Sequence, residues 1–139
     1  MPKVAMRIIH ESQIVSGNRV LARAGEPGKE KKAVWIVARQ HPGEAMAEWF
    51  MEGFLDELTD PHNAFSARAL KHAVFYVVPN INPDGAIRGH LRTNAAGANL
   101  NREWAEPSME HSPEVGHLCL SRHLNMDIPS KIPSSNQCL

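Results

Sequence analysis

From residue 31 onward the chain passes between unbroken apolar runs and stretches with a polar face. Residues 33–38, Ala-Val-Trp-Ile-Val-Ala, contain no polar interruption, which is how a strand covered on both faces reads. Over 45–58 the period changes. Met46, Trp49, Phe50, Met51, Phe54, Leu55 and Leu58 recur at helical spacing, and Glu48, Glu52, Asp56 and Glu57 fall mostly on the other side. That spacing predicts an amphipathic helix, with Pro61 following soon after its end. A connecting segment leads to 73–79, a second apolar run of the first kind. Strand, helix and strand at this spacing make a βαβ unit, whose right-handed crossover sets the two strands parallel in one sheet. Ahead of this unit, 4–10 and 19–24 read as shorter strands joined at Ser16-Gly17-Asn18, with a solvated loop over 25–32.

Past residue 79 the pattern dissolves. Residues 80–102 carry five asparagines, three glycines and three arginines with no helical or strand period. A structureless stretch this long inside a compact domain is usually functional or disordered, and its neighbour, a histidine-glutamate turn, favours function. Periodicity returns at Ser112-Pro113-Glu114-Val115. Ser112 suits an N-cap, Pro113 the first helical position and Glu114 the positive end of the helix dipole, predicting a short helix to about 124. Residues 125–139, with Pro129, Pro133 and three serines, read as an irregular tail. No internal repeat is present. The expectation is one α/β domain over 1–139.

Composition changes little in this picture. The 139 residues suffice for one packed core, and a formal net charge of zero gives no sign of a nucleic-acid or membrane partner. Eight histidines raise the weight of metal or acid-base chemistry. Cys119 and Cys138 have neither metal-like spacing nor the look of a disulfide framework, so a reducing, cytoplasmic setting is expected. Residues 1–7 lack the apolar core of a signal peptide, and no run approaches the roughly 20 apolar residues of a membrane span.

Chemistry concentrates after the two main strands. Ligands of parallel sheets bind outside the strands' carboxyl ends, and both the His41-Pro42-Gly43-Glu44 turn and the loop from Asn80 leave such ends. A neutral imidazole and a carboxylate are both zinc ligands, and the Pro-Gly between them lets one tight turn aim both at one centre. The same four residues also make an ordinary polar turn with Glu44 at the positive end of the next helix, and spacing alone does not separate the two. Asn82-Pro83-Asp84-Gly85 by itself is a turn. Arg92, Asn101 and Arg102 bring the planar forks and amide donors that grip carboxylates, although each alone also fits a solvated loop.

In order, His41-Pro42-Gly43-Glu44, Asn82-Pro83-Asp84-Gly85, Arg92 and Asn99-Leu100-Asn101-Arg102 resemble the zinc metallocarboxypeptidase family, closest to its cytosolic-carboxypeptidase branch. The match runs over 33–104. It implies a partial mixed sheet, the first half of the carboxypeptidase fold, with one zinc ion held by His41 and Glu44. It also implies that Arg92 polarises the scissile carbonyl, while Asn101 and Arg102 clamp the terminal carboxylate of a peptide or protein substrate. The reaction implied is hydrolytic removal of C-terminal residues, with zinc activating a water and a glutamate base moving its proton. Three departures accompany the match. The family's third ligand, a histidine often in Asp-x-His-Gly, is not found after Trp104, and His111, His117 and His123 do not end apolar runs. The base glutamate is likewise missing, and the one tyrosine, Tyr76, lies within a strand. The chain therefore reads as truncated or frame-shifted, with two alternatives to an active enzyme: a catalytically dead fragment, or a module that binds peptide carboxylates without cutting them. An uncovered sheet edge would favour self-association.

Overall fold

Both apolar runs become strands, paired as the crossover requires. The computed structural model describes residues 7–9, 21–24 and 31–125, with side chains from 31 to 122. Strand β3 (Lys32–Val37) lies parallel to strand β4 (Ala73–Val78), in register from Lys32 opposite Ala73 to Val37 opposite Val78. On the other flank of β4, strand β2 (Leu21–Ala24) pairs antiparallel, and strand β1 (Arg7–Ile9) pairs antiparallel with β2. The order β1-β2-β4-β3 makes a mixed sheet with β4 inside and β3 at an edge. Burial follows position: Val74, Tyr76, Val77 and Val78 are buried, while β3 is half-buried at best. An apolar run records what a strand tolerates, not what covers it: no β3 side chain is fully buried among the described residues, so the expectation of a strand covered on both faces is corrected, and β3 pairs on one side only. The expected Ser16-Gly17-Asn18 turn and the tail past 125 lie outside the described residues.

The crossover holds two helices. Helix α1 (Met46–Thr59) follows the predicted span, burying Met51 and Leu58. Helix α2 (Ala64–His72) occupies the segment expected to be a mere connection. Its large apolar residues are only Phe65 and Leu70, and Phe65 is exposed, so they do not mark the buried face; Asn63 caps the helix, accepting from the N–H groups of Phe65 and Ser66 at 2.9 and 3.1 Å. Three alanines then favour the helix intrinsically. Leu58 and Leu70 pack together with Phe54 and Phe75, joining both helices to β4, and Trp35 stacks on Tyr76 at 4.5 Å.

The residues divide into two compact units, one of Met1–Arg39 with Ala45–Asn80, the other of Gln40–Glu44 with Ile81–Leu139. The first holds the sheet and helices α1 and α2. The second holds helix α3 (Pro83–Ile87), a 3-10 turn (Leu100–Arg102) and helix α4 (Pro113–Asn125). Its buried apolar residues include Ile81, Leu100, Val115 and Leu118.

The loop over 80–102 has no apolar period, yet it is ordered. Asparagine side chains supply the partners that a helix or sheet would otherwise provide. Asn82 Oδ1 accepts the Gly85 N–H at 3.1 Å and caps α3. Asn94, fully buried, accepts from the N–H groups of Ala96 and Ala98 at 3.1 and 2.9 Å and donates to Glu114 Oε2 at 3.0 Å. Asn99 Oδ1 accepts the Asn101 N–H at 3.2 Å and starts the 3-10 turn.

Pro113 opens α4 and Ser112 stands at its N-cap position, its carbonyl accepting from the Val115 and Gly116 N–H groups at 3.1 Å. The Ser112 hydroxyl, however, turns back, accepting the Ser108 N–H at 2.8 Å and donating to its carbonyl at 3.1 Å. It closes the preceding turn. Cys119, buried on α4, is disulfide-bonded, against the expectation drawn from cysteine spacing. A single bridge requires two sulfurs brought within bonding geometry by the backbone, which spacing along the chain does not report.

Candidate metal and carboxylate site

The turn Gln40–Glu44 is gripped by side chains and backbone from four places in the 80–104 segment. Asn82, with no exposed surface, donates through Nδ2 to the Gln40 carbonyl at 3.2 Å. The Trp104 indole N–H donates to Gln40 Oε1 at 2.6 Å. The Gly43 N–H donates to the Leu91 carbonyl at 2.9 Å. His41 Nε2 faces Asn99 Oδ1 at 3.1 Å.

Glycine is required at two of these junctions. A Cβ on Gly43 would lie 2.7 Å from Leu91 Cδ1 and 2.9 Å from the Leu91 carbonyl oxygen. On Gly85 it would lie 2.5 Å from Asn82 Oδ1, 2.6 Å from the Thr93 carbonyl oxygen and 2.8 Å from Pro42 Cγ. Asn82-Pro83-Asp84-Gly85 is thus a short capped helix packed beneath Pro42, more than the turn its residue types imply.

The Asn99 contact decides which nitrogen of His41 is free. Because Asn99 Oδ1 accepts the Asn101 N–H, the atom facing His41 Nε2 is an oxygen. Nε2 therefore carries a proton and donates it. The other nitrogen, Nδ1, faces Glu44 Oε1 at 2.9 Å. Two lone pairs at that distance repel, so a proton or a cation belongs between them. The separation is also shorter than two zinc–ligand bonds of about 2 Å each, so one ion reaches both atoms. Holding a ligating imidazole by its far N–H is the usual outer-shell arrangement of a metal site. His41 is 7% exposed, while the Glu44 side chain is 54% exposed, giving one anchored donor and one open to solvent.

The remaining candidates attach to the same frame. Arg92 follows Leu91, whose carbonyl is bonded to Gly43. Asn101 and Arg102 lie on the 3-10 turn that Asn99 begins. All three are exposed, and among the described residues their side chains have no hydrogen-bond or ion-pair partner. Charged forks and an amide left in solvent are available for an external carboxylate. No third metal donor joins the turn: among the described residues no group of three His, Cys, Asp or Glu could hold an ion. His111 precedes α4 and His117 lies on it. The two donors fit zinc, and the described residues do not complete its set.

Gln40, Asn82, Asn99 and Trp104 brace the site, yet sequence reasoning assigned none of them a part. Each is neutral and acts through partners 42 to 64 residues away, a reach that no local pattern displays.

The fold is a mixed α/β sheet, and the His41–Glu44 turn that follows β3 is braced by an asparagine-rich loop with exposed arginines, an arrangement that fits a metal-dependent hydrolase. The chain belongs to the zinc carboxypeptidase family, whose sequence profile matches residues 6–125. Cytosolic carboxypeptidase-like protein 5 of Rattus norvegicus is 34% identical over 110 residues, covering 77% of this chain and 13% of the relative. A metallo-carboxypeptidase from Burkholderia cenocepacia is 43% identical with a TM-score of 0.77, covering 89% of this chain and 34% of that one. A metallo-carboxypeptidase from Pseudomonas aeruginosa, solved with (2-guanidinoethylmercapto)succinic acid, is 42% identical with a TM-score of 0.74 and likewise covers 88% and 32%. The chain thus spans about a third of these solved structures and less of the curated relative. Among the described residues no helix is long and apolar enough to cross a membrane.

Proposed function

We propose that this chain provides the metal turn and the carboxylate grip of a zinc metallocarboxypeptidase that removes C-terminal residues from peptides or proteins. One observation carries the reading: His41 Nδ1 and Glu44 Oε1 converge at 2.9 Å while Asn99 holds the far nitrogen. His41 and Glu44 are the ligands. When bound, zinc supplies a Lewis acid and an acidified water. Arg92 steadies negative charge growing on the scissile carbonyl oxygen. Asn101 and Arg102 hold the substrate's terminal carboxylate, which restricts cutting to chain ends. The succinate ligand of the Pseudomonas aeruginosa metallo-carboxypeptidase supports carboxylate recognition in this family. No general base is assigned, because no residue on the described segments fits that part.

A second reading is favoured by the absence of a third donor among the described residues. On it, the chain is a carboxylate-binding module, or a dead fragment, which grips peptide ends without hydrolysis. Zinc titration with a C-terminal trimming assay separates these. One zinc with turnover supports the enzyme. Saturable binding of a peptide carboxylate without turnover, lost in Arg102→Ala, supports the module. Neither result leaves the fragment.

A cytoplasmic location is supported by the name of the rat relative, whereas the disulfide at Cys119 runs against a reducing compartment. Self-association through the open edge of β3 is supported by that edge and by Met46, Trp49 and Phe50, all more than half exposed along one side of α1.

A further inference from the structure

We propose that Glu48 is a positioning residue whose carboxylate pins together the two points where the chain leaves the sheet, one for the metal turn and one for the arginine-bearing loop. The proposal rests on the reading of His41 and Glu44 as metal ligands. Its grounds lie wholly within the sheet-bearing unit.

Arg39 has φ 52°, the sole positive φ among described non-glycine residues. A β-carbon makes that left-handed conformation unfavourable, so it persists where its surroundings enforce it. Glu48 is placed to hold it. The Arg39 guanidinium, 17% exposed, is ion-paired with one carboxylate oxygen of Glu48. The other oxygen, Oε1, accepts from Asn80 Nδ2 at 2.8 Å. Arg39 stands two residues after β3 and two before His41; Asn80 stands two residues after β4. They are the last residues of the sheet-bearing unit on their respective segments. The Ala38 N–H continues the ladder to the Val78 carbonyl at 2.9 Å, so the two exits begin side by side. One carboxylate, on the first turn of α1, therefore holds both.

An acid in a first turn also satisfies the helix dipole, and that role needs neither partner nor reach. The two roles part on side-chain length. Aspartate keeps the charge at the helix start and is one methylene too short to hold both exits. Glutamine keeps an acceptor oxygen at full length. With the clamp gone, Arg39 relaxes out of the left-handed region, and the ligands that follow lose their preset direction.

Hydrogen–deuterium exchange on the full chain, read by mass spectrometry, tests this in Glu48→Ala, Glu48→Asp and Glu48→Gln. Zinc affinity is measured alongside by competition with a chromophoric chelator. In Glu48→Ala, exchange over 40–44 and over 85–90, where the Gly85, Ala86, Arg88, Gly89 and His90 N–H groups are bonded, should rise at least about tenfold while 54–58 and 74–78 stay within about twofold. Glu48→Asp should behave like Glu48→Ala, Glu48→Gln should recover part of the protection, and zinc affinity should fall in the same order. The proposal is overturned if Glu48→Asp matches the parent, or if Glu48→Ala loosens 46–49 and neither exit. Should Glu48→Ala unfold the core, the comparison of Glu48→Asp with Glu48→Gln decides. A parent that binds no zinc overturns the metal reading, and the exchange data then decide the clamp unaided.

Discussion

Replacing Gly85 by alanine sets helix propensity against packing, and the sign of the result reveals which governs the site. Gly85 lies in α3, where alanine is intrinsically better than glycine by about 0.8–1 kcal/mol. Against this stand three contacts for the new methyl group, at 2.5 Å to Asn82 Oδ1, 2.6 Å to the Thr93 carbonyl oxygen and 2.8 Å to Pro42 Cγ. None yields easily. Thr93 presents main chain, Pro42 a closed ring, and Asn82 Oδ1 is occupied in capping α3 through Gly85 N–H. Overpacking of this kind costs about 1–3 kcal/mol, and losing the cap adds about 1. The net expectation is destabilisation by about 1–3 kcal/mol. Gly53 on α1 is the control, because a Cβ there meets nothing within 4 Å. Gly53→Ala should stabilise by nearly 1 kcal/mol, since propensity acts there without opposition. Equilibrium urea unfolding followed by far-ultraviolet circular dichroism should move the two midpoints in opposite directions. If Gly85→Ala stabilises as Gly53→Ala does, α3 is not packed beneath Pro42, and the support described for the metal turn is wrong.

Asn99→Leu removes the acceptor for His41 Nε2 and should weaken zinc binding about 10–100-fold in chelator competition; because the same oxygen caps the 3-10 turn, it should also destabilise the fold by about 1 kcal/mol in urea unfolding. Arg102→Ala should weaken binding of a peptide carboxylate by about 10–100-fold, the worth of one charge-assisted bond, in calorimetric titration. The Arg39 hydrogen bond, with its charge and the Asn80 amide adding to it, holds the Glu48 carboxyl below its ordinary value of 4.5 despite partial desolvation. A depressed carboxyl stabilises the fold above its unfolded pKa, and that contribution disappears as pH falls through the folded one. The midpoint difference between the parent and Glu48→Gln should thus hold from neutral pH to about 4.5 and shrink below it. It should be small, because the Glu48 side chain is 42% exposed and salt screens the pair. Trp49→Glu should reduce concentration-dependent association in sedimentation velocity; unchanged association would move the contact away from α1.

What could be read in advance depended on how far each interaction reaches. The strands at β3 and β4 and helix α1 carry their signal within a few residues, as runs or as a helical period, and all three stand where the pattern put them. Helix α2 was hidden because it is short and its buried face is made by Ser66 and Leu70, while its largest apolar residue, Phe65, is exposed. The loop after β4 was hidden differently. Its order comes from Asn82, Asn94 and Asn99, whose side-chain bonds replace a repeating ladder and so leave no period. In the candidate site, the spacing of His41 and Glu44 alone did not separate a ligand pair from a polar turn, and it was the ordered motifs around them that singled them out. The edge position of β3 and the bridge at Cys119 were not legible, since both depend on what lies across space.

The five residues Gln40–Glu44 group with Ile81–Leu139, although the chain on either side of them belongs to the sheet-bearing unit. This has a consequence for the order of folding. The bonds that seat the turn close loops of 42, 58 and 64 residues, through Asn82, Asn99 and Trp104. Contacts of such range form late, after local helices and neighbouring strands have shortened the intervening chain. A protein made of residues 81–139 alone would leave the Asn82 amide, in the structure fully buried, without its Gln40 partner. The metal turn thus serves as a keystone, and its docking completes the second unit. If His41 and Glu44 hold zinc as proposed, the ion would stabilise this late-folding step by mass action.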